Sequence, residues 1–208
     1  SSLYYQTAES TLALEAAGWT RVAYDGFENG YTGWVTDANG WVVRIENGAL
    51  GRYSNENSQW VTKYYDLNNK ATVITFDMLK LDTWDNESFY VRFRPDNFAY
   101  NAVDITLPNL SWATSYSSVI TGTQNISYNG QTATVRYTIT PLQNYANYDQ
   151  TFRFEIELPT NFGDIVRMYF GSSLDQGYGD ESWQVDNLAF WQQNVPTNIG
   201  LGGTYENF

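Results

Sequence analysis

The stretch TFRFEIEL, residues 151–158, decides the fold class because its apolar and polar residues alternate without interruption. One parity holds Phe152, Phe154, Ile156 and Leu158, and the other holds Thr151, Arg153, Glu155 and Glu157. Successive side chains of a strand point to opposite faces of its sheet. The pattern therefore predicts a strand with one buried face and one solvated face.

Similar segments recur along the chain and are separated by turn signals. Residues 71–81 (ATVITFDMLKL), 89–94 (FYVRFR) and 132–140 (TATVRYTIT) alternate in the same way, the last of them more weakly. The turn signals are Asn39-Gly40, Asn47-Gly48, Asn129-Gly130 and Gly177-Tyr178-Gly179. Asn-Gly is the strongest short hairpin signal. Strands and turns in this order predict an all-β sandwich or barrel.

One segment near the start differs from this pattern. Residues 8–18 (AESTLALEAAG) predict a short helix that stops at Gly18. No repeat or linker divides the remaining sequence. We therefore expect one domain over 1–208, with an N-terminal helix or extension at 1–20 and a C-terminal tail at 192–208.

The charge and the absent residue types narrow the partners and the chemistry. Acidic residues outnumber basic ones 23 to 11, which gives a net charge of −12. We expect no nucleic-acid partner, because phosphate contacts need Lys and Arg. The chain has no cysteine and no histidine, which excludes disulfides, His-based triads and Cys/His zinc sites. A metal ion must then be bound by oxygen, which favours Ca²⁺.

The expected setting is outside the cell. No apolar run reaches about 18 residues, so we expect no membrane insertion. The first residues, SSLYYQTAES, read as a domain boundary or a mature start. A cysteine-free, acidic composition rich in Thr, Asn and Tyr is typical of exported bacterial surface modules. We expect an extracellular, monomeric module of a larger chain on a bacterial cell surface.

The stretch LDTWDNESF, residues 81–89, places Asp82, Asp85 and Glu87 around Trp84. Calcium takes about six to eight oxygen ligands at about 2.3–2.6 Å, and flexible loops supply them well. Two interpretations stay open. The stretch is either a calcium-binding loop or a solvated turn with a buried Trp84.

The last long strand, ESWQVDNLAFW at 181–191, contains a change of phase. Its apolar parity switches between Val185 and Leu188, at Asp186-Asn187. A β-bulge at this point accounts for the switch, and bulges often lie beside functional sites. Asp186 is therefore a candidate ligand. Further candidate carboxylates, in residues 24–34 and 177–181, are Asp25, Glu28 and Asp180.

These segments together resemble a known class of domain. The matching residues are Phe27-Glu28, Trp34, Phe76-Asp77, Asp82, Trp84-Asp85, Glu87, Phe89, Asp180-Glu181-Ser182-Trp183 and Asp186-Asn187. In this order they resemble the jelly-roll β-sandwiches of the MAM and laminin-G-like (concanavalin A-like) kind. They are most similar to the ligand-binding domains of large bacterial RTX adhesins. The MAM disulfide cysteines are absent from this chain.

The resemblance implies a Ca²⁺-stabilised jelly roll that captures a peptide or glycan on a host or target cell through a calcium ion. Under this hypothesis Glu28 and Asp186 form a structural cation pair, with Asp25 and Asp180 as further ligands. Asp82, Asp85 and Glu87 form a loop site. The expected pocket rim comprises Gln176, Tyr178, Gly179 and Asp180, although Tyr178-Gly179 also fits a plain hairpin turn.

Three alternatives remain at this stage. The first is a lectin-like carbohydrate-binding module. The second is a glycoside hydrolase, which needs two carboxyls about 5–5.5 Å apart when retaining and about 6.5–9.5 Å when inverting. Glu155 and Glu157 have a workable spacing, as do Asp85 and Glu87, but no typical acid-pair signature accompanies them. The third is a structural extender or an extracellular eukaryotic module, suggested by glycosylation sequons at Asn86, Asn109 and Asn125.

Overall fold

The computed structural model describes residues 13–37, 42–55, 60–113 and 115–193, in which thirteen strands form two antiparallel sheets. The strands are β1 (Trp19–Asp25), β2 (Val35–Thr36), β3 (Ile45–Glu46), β4 (Ala49–Tyr53), β5 (Val61–Asp66), β6 (Thr72–Asp82), β7 (Asp85–Pro95), β8 (Val103–Ser111), β9 (Ile120–Tyr128), β10 (Gln131–Asn144), β11 (Gln150–Leu158), β12 (Ile165–Ser172) and β13 (Glu181–Gln193). Short 3-10 helices cover Asp96–Phe98, Ala146–Tyr148 and Thr160–Phe162.

The eight-stranded sheet is organised around β13. Its order is β3-β4-β13-β6-β11-β10-β9, and β1 pairs with β13 outside this path. One edge of β13 pairs with β6, whereas the other edge is shared between two strands. β4 pairs with residues 183–185 and β1 with residues 188–193. Residues 186–187 therefore lie in the gap between the two shorter strands.

The second sheet has five strands in the order β2-β5-β12-β7-β8, and an aromatic core fills the space between the sheets. Phe76 and Phe154 stack with their ring centroids 4.6 Å apart. Phe89 packs edge-on against Trp183, with centroids 5.2 Å apart. All four rings are buried, and such pairs stabilise a core beyond their buried area. The predicted all-β jelly-roll sandwich is confirmed.

The alternating segments lie where the sequence predicts strands. Residues 151–158 fall in β11, 89–94 in β7 and 132–140 in β10. The signals Asn47-Gly48 and Asn129-Gly130 form the β3–β4 and β9–β10 turns. The signal Asn39-Gly40 lies outside the described residues.

The predicted N-terminal helix is described from residue 13 onward. Residues 13–16 are helical, and Gly18 follows with a φ of 89°. Leu14 packs with Val73 and Trp191 on the outer face of the eight-stranded sheet. No helix within the described ranges combines the length and the apolar character needed to cross a membrane.

The outer face of β11 is less solvated than its alternation predicts. Glu157 is exposed, but Arg153 is 6% exposed and Thr151 is also buried. The Arg153 guanidinium forms an ion pair with the buried Asp77 of β6, at 3.2 Å between Nη1 and Oδ1. The face predicted to be solvated therefore contains a buried ion pair.

Candidate functional site

The β6–β7 turn, which carries the predicted metal loop, directs its acidic side chains to two places. Asp82 has a φ of 67°, and its N–H donates to Asp149 Oδ1 at 2.7 Å. Its carboxylate lies 3.6 Å from Arg52 Nη1. Burial, and then the charge of Asp149, raise the pKa of Asp82, whereas Arg52 lowers it. Asp82 thus belongs to a mixed-charge cluster and is not in the group that Asp85 and Glu87 form.

Asp85 and Glu87 meet Glu181 at the start of β13. Each residue of this carboxylate cluster (Asp85, Glu87 and Glu181) offers an oxygen within 4.8 Å of the other two. Asp85 is exposed, Glu87 is 8% exposed and Glu181 is fully buried. The β6–β13 ladder pairs Asp82 with Glu181, and this pairing brings the turn to the start of β13.

The backbone satisfies only one side of the Glu181 carboxylate. Its Oε2 atom accepts hydrogen bonds from the N–H groups of Asp175 and Gln176, at 2.8 and 3.0 Å. Its Oε1 atom is buried and makes no hydrogen bond of ordinary geometry with the described residues. A buried carboxylate oxygen without a donor is costly unless a proton or a cation neutralises it.

The pKa values of the carboxyls in the cluster reflect this burial. Burial is the main cause that raises the pKa of Glu87 to about 7, and the charge of Glu181 adds to it. The Asp85 N–H, which donates to Glu87 Oε1, acts in the opposite direction. Burial also raises the pKa of Glu181. Neighbouring buried carboxyls share a proton or bind a cation, and this all-oxygen set suits Ca²⁺, with water completing the shell beside the exposed Asp85.

The loop at residues 176–180, predicted as a pocket rim, packs on the same β6–β7 turn. The Asp180 carbonyl accepts hydrogen bonds from the N–H and Oγ1 of Thr83, at 2.8 and 3.0 Å. The Tyr178 carbonyl accepts one from Arg52 Nη1 at 3.1 Å. The exposed positions of the loop are Gln176, Gly177, Gly179 and Asp180, and Tyr178 is half-buried. The predicted rim and the carboxylate cluster therefore lie at one end of the sandwich.

The predicted β-bulge at Asp186-Asn187 is confirmed. The β13–β6 register shifts between Asp186 and Ala189, and Asn187 has a φ of 54°. Asp186 stands opposite Asp77 in this ladder. Asn187 Nδ2 donates to Asp77 Oδ2 at 2.9 Å, and Tyr24 Oη donates to Asn187 Oδ1 at 3.0 Å. The bulge is therefore anchored from both neighbouring strands.

Asp186 and Glu28 form a second acidic site at this bulge. Burial is the largest cause that raises the pKa of Asp186 to about 7, and the charges of Glu28 and Asp77 raise it further. The Glu28 carboxylate lies against Gly48, where an added Cβ would be 2.8 Å from Glu28 Oε2. The charge of Glu28 thus acts on Asp186, and the cation pair that these two residues would form stays a prediction.

Asp25 is occupied by protein donors instead. Its Oδ2 atom accepts hydrogen bonds from Lys63 Nζ at 2.9 Å, from Trp34 Nε1 at 3.2 Å and from Tyr65 Oη. Burial and the charge of Asp25 raise the pKa of Tyr65. Because Lys63 already neutralises this carboxylate, we leave Asp25 out of the proposed metal sites.

The hydrolase candidates lie on the outer face of the eight-stranded sheet. Glu155 and Glu157 line an open groove of about 310 Å³ with Thr123, Arg136 and Thr138. The groove has a mixed polar and apolar lining, and both of its carboxylates come from β11. The groove offers Thr, Arg and Glu side chains to a ligand. It is also the place where a hydrolase would have Glu155 and Glu157 as its two carboxyls.

A further surface, missed by the sequence reasoning, covers the outside of the five-stranded sheet. This aromatic face comprises Trp60, Tyr64, Tyr90, Arg92, Arg94, Arg167 and Tyr169. The Trp60 ring centroid lies 5.9 Å from that of Tyr90 and 6.1 Å from that of Tyr169. A Cβ on Gly171 would lie 2.9 Å from the Trp60 ring, so glycine leaves room for the indole over the sheet.

The arginines of the aromatic face are interleaved with its rings. Arg92 Cζ lies 4.6 Å from the Trp60 centroid, and Arg167 Cζ lies 5.1 Å from that of Tyr64. Tyr64 is 62% exposed, whereas Tyr169 is 4% exposed beneath its neighbours. The sequence contained a signal for this face in residues 89–94 (FYVRFR). The positions that alternate with the apolar ones there are Tyr90, Arg92 and Arg94.

No protein-family model matches this chain, and no curated protein matches it. The solved structures that are similar to it include the following two. One is the CBM2 module of the evolved Dit protein of Lactobacillus casei BL23 phage J-1, at 12% identity and a TM-score of 0.49, covering 87% of this chain and 99% of that one. The other is TmCBM27, described as a mannan-recognising carbohydrate-binding module, at 11% identity and a TM-score of 0.45, covering 85% and 99%.

Proposed function

We propose that this protein is a non-catalytic glycan-binding module whose binding surface is the aromatic face. The observation that carries the proposal is the placement of Trp60, Tyr64 and Tyr90 on the outside of a sheet. Surface rings of this kind offer flat apolar area to the faces of pyranose rings. The interleaved arginines offer hydrogen-bond donors to sugar hydroxyls.

We further propose that Ca²⁺ stabilises the module at the carboxylate cluster and at the Glu28–Asp186 site. The buried Oε1 atom of Glu181, which accepts no backbone hydrogen bond in the described part of the chain and has the Glu87 carboxyl beside it, supports the first of these sites. The charge coupling of Glu28 with Asp186 at the bulge supports the second. The cation would neutralise carboxylates that a chain at −12 holds close together.

The setting on an exported bacterial surface adhesin is part of this proposal. It rests on the acidic, cysteine-free composition of the chain. In that setting the module would attach a cell to a glycan on a target surface.

Affinity electrophoresis through gels containing mannan, xylan, a soluble cellulose derivative or polygalacturonate tests glycan binding. We expect at least one polysaccharide to retard the wild type, and Trp60→Ala to lose this retardation. The matched control is Trp112→Ala, because Trp112 is 50% exposed outside the aromatic face, in surface loops where its ring centroid lies 5.6 Å from that of Tyr148. Loss in Trp112→Ala alone would move the site to the loops. Wild-type mobility unchanged by every polysaccharide would overturn glycan binding.

A second candidate function is Ca²⁺-bridged capture of a peptide carboxylate at the 176–180 loop. One observation favours it: the loop packs beside the carboxylate cluster, in which Asp85 is exposed and leaves a bound cation open to a ligand. A free C-terminal carboxylate can complete such a shell. Peptide binding that chelation and C-terminal amidation both abolish, in folded protein, would establish this function.

A further inference from the structure

The aromatic face contains two arginines that stand directly opposite each other. The β12–β7 ladder pairs Arg167 with Arg94. Like charges at directly opposed positions destabilise a sheet. The described residues include no ion pair of Arg94 or of Arg167. Arg92, the neighbouring arginine on the same face of β7, is by contrast neutralised. It donates to the Asp104 carboxylate through Nε at 2.6 Å and through Nη2 at 3.0 Å.

The two guanidiniums of this arginine pair (Arg94 and Arg167) are held in place by neutral groups. Arg167 Nε donates to Thr62 Oγ1 at 3.1 Å. The Cζ atoms of Arg167 and Arg94 lie 4.9 and 5.5 Å from the Tyr169 ring centroid. Arg94 Nε is buried and has no hydrogen-bond partner among the described residues. A cation fixed in this way loses little conformational freedom when it binds an anion.

The concentrated positive charge of the arginine pair is unusual for this acidic chain. Only 11 residues are basic against 23 acidic ones, so a pair of unneutralised arginines stands out against a negative background. Cation–π contacts with Tyr64 and Tyr169 account for the stacking of the guanidiniums. They do not explain why two like charges face each other without a carboxylate. A ligand that supplies the missing negative charge does explain it.

We propose that the aromatic face binds an anionic polysaccharide, with the arginine pair contacting its carboxylate or sulfate groups and Trp60 contacting a sugar ring. This inference rests on the proposed glycan-binding function and names its ligand class. Arg94 and Tyr90, the latter beneath Trp60, are four residues apart on β7, about 13 Å at the usual rise of a strand. The ligand must therefore be longer than one sugar ring.

Affinity electrophoresis with three polymers tests the ligand class: polygalacturonate carries carboxylates, a sulfated galactan carries sulfates, and mannan is neutral. We expect the wild type to be retarded by at least one anionic polymer, and Arg94→Gln and Arg167→Gln each to weaken this affinity about tenfold or more. The matched control is Arg21→Gln, which removes the same charge from an exposed position on β1, outside the aromatic face and the groove, and should leave the affinity unchanged. Urea unfolding of each variant checks its fold.

The outcomes separate this inference from the proposed function. Binding of mannan through Trp60, unaffected by Arg94→Gln and Arg167→Gln, would leave glycan binding standing and overturn the anionic ligand. Retardation by both anionic polymers that Trp60→Ala does not change would indicate charge attraction alone and would also overturn it. No retardation by any polymer would overturn both. Selective retardation by polygalacturonate or by the sulfated galactan would identify the anionic group.

Discussion

Calcium-free protein is expected to lose stability as the pH rises from 4.5 to about 7, because the carboxylate cluster is buried. Burial raises the pKa of Glu87 from 4.5 to about 7 and also raises that of Glu181. When the folded pKa of an acid lies above its unfolded pKa, the stabilisation is complete below the unfolded pKa. It is lost as the pH rises through the folded pKa. For Glu87 this window runs from 4.5 to about 7.

The expected size of the loss follows from the geometry. One pKa unit corresponds to about 1.4 kcal/mol, so the full rise at Glu87 corresponds to about 3 kcal/mol. Asp85 beside it is exposed, and water screens this side of the cluster. We therefore expect Glu87 to contribute about half of this energy, roughly 1.5 kcal/mol, while Asp186, whose pKa is also raised to about 7, adds a separate loss. With a urea dependence of about 2 kcal/mol per molar, the unfolding midpoint should fall by roughly 0.7 M.

Urea unfolding, followed by tryptophan fluorescence in protein dialysed free of divalent ions, measures this loss. Glu87→Gln should reduce the dependence on pH, whereas Glu157→Gln, which removes the same charge from an exposed position, should keep it. Added Ca²⁺ at about a hundred times Kd should contribute about 2.7 kcal/mol per site near pH 8. It should contribute less near pH 5, where protons compete. Equal pH dependence in the two variants, or an equal gain from Ca²⁺ at both pH values, would refute the reasoning.

Further outcomes test the other sites. In millimolar Ca²⁺, Asp186→Ala should lower the melting temperature more than Glu157→Ala, since loss of a metal ligand exceeds the usual surface effect of about 0.5 kcal/mol. In chelator the difference between the two variants should vanish. A difference that persists would contradict a cation at the bulge. Gly171→Ala should displace the Trp60 ring and weaken polysaccharide binding without unfolding the protein, as affinity electrophoresis and circular dichroism can measure; unchanged binding would separate Trp60 from the ligand. Incubation with xylan, mannan and polygalacturonate should release no reducing sugar, and steady release that Glu155→Gln abolishes would establish a hydrolase instead.

Much of the fold could be predicted from local sequence because its signals are local. The alternation at 151–158 places a strand without reference to the rest of the chain, since the two-residue period belongs to the strand itself. The change of parity between Val185 and Leu188 likewise predicts the bulge, because one extra residue reverses the faces of all that follow. Asn129-Gly130 determines a hairpin through its own turn geometry.

The composition of the sites depended on contacts between distant segments. Asp82 and Asp85 are close in sequence, yet the Asp82 carboxylate lies near Arg52, whereas Glu181, from a distant part of the chain, joins Asp85 and Glu87. Ladder register, which no local pattern encodes, decides this encounter and also sets Arg94 opposite Arg167. The sequence by itself determined which residues form strands and which parity is apolar. Only the tertiary structure decided which charges meet, because strand order and register arise from long-range pairing and core packing.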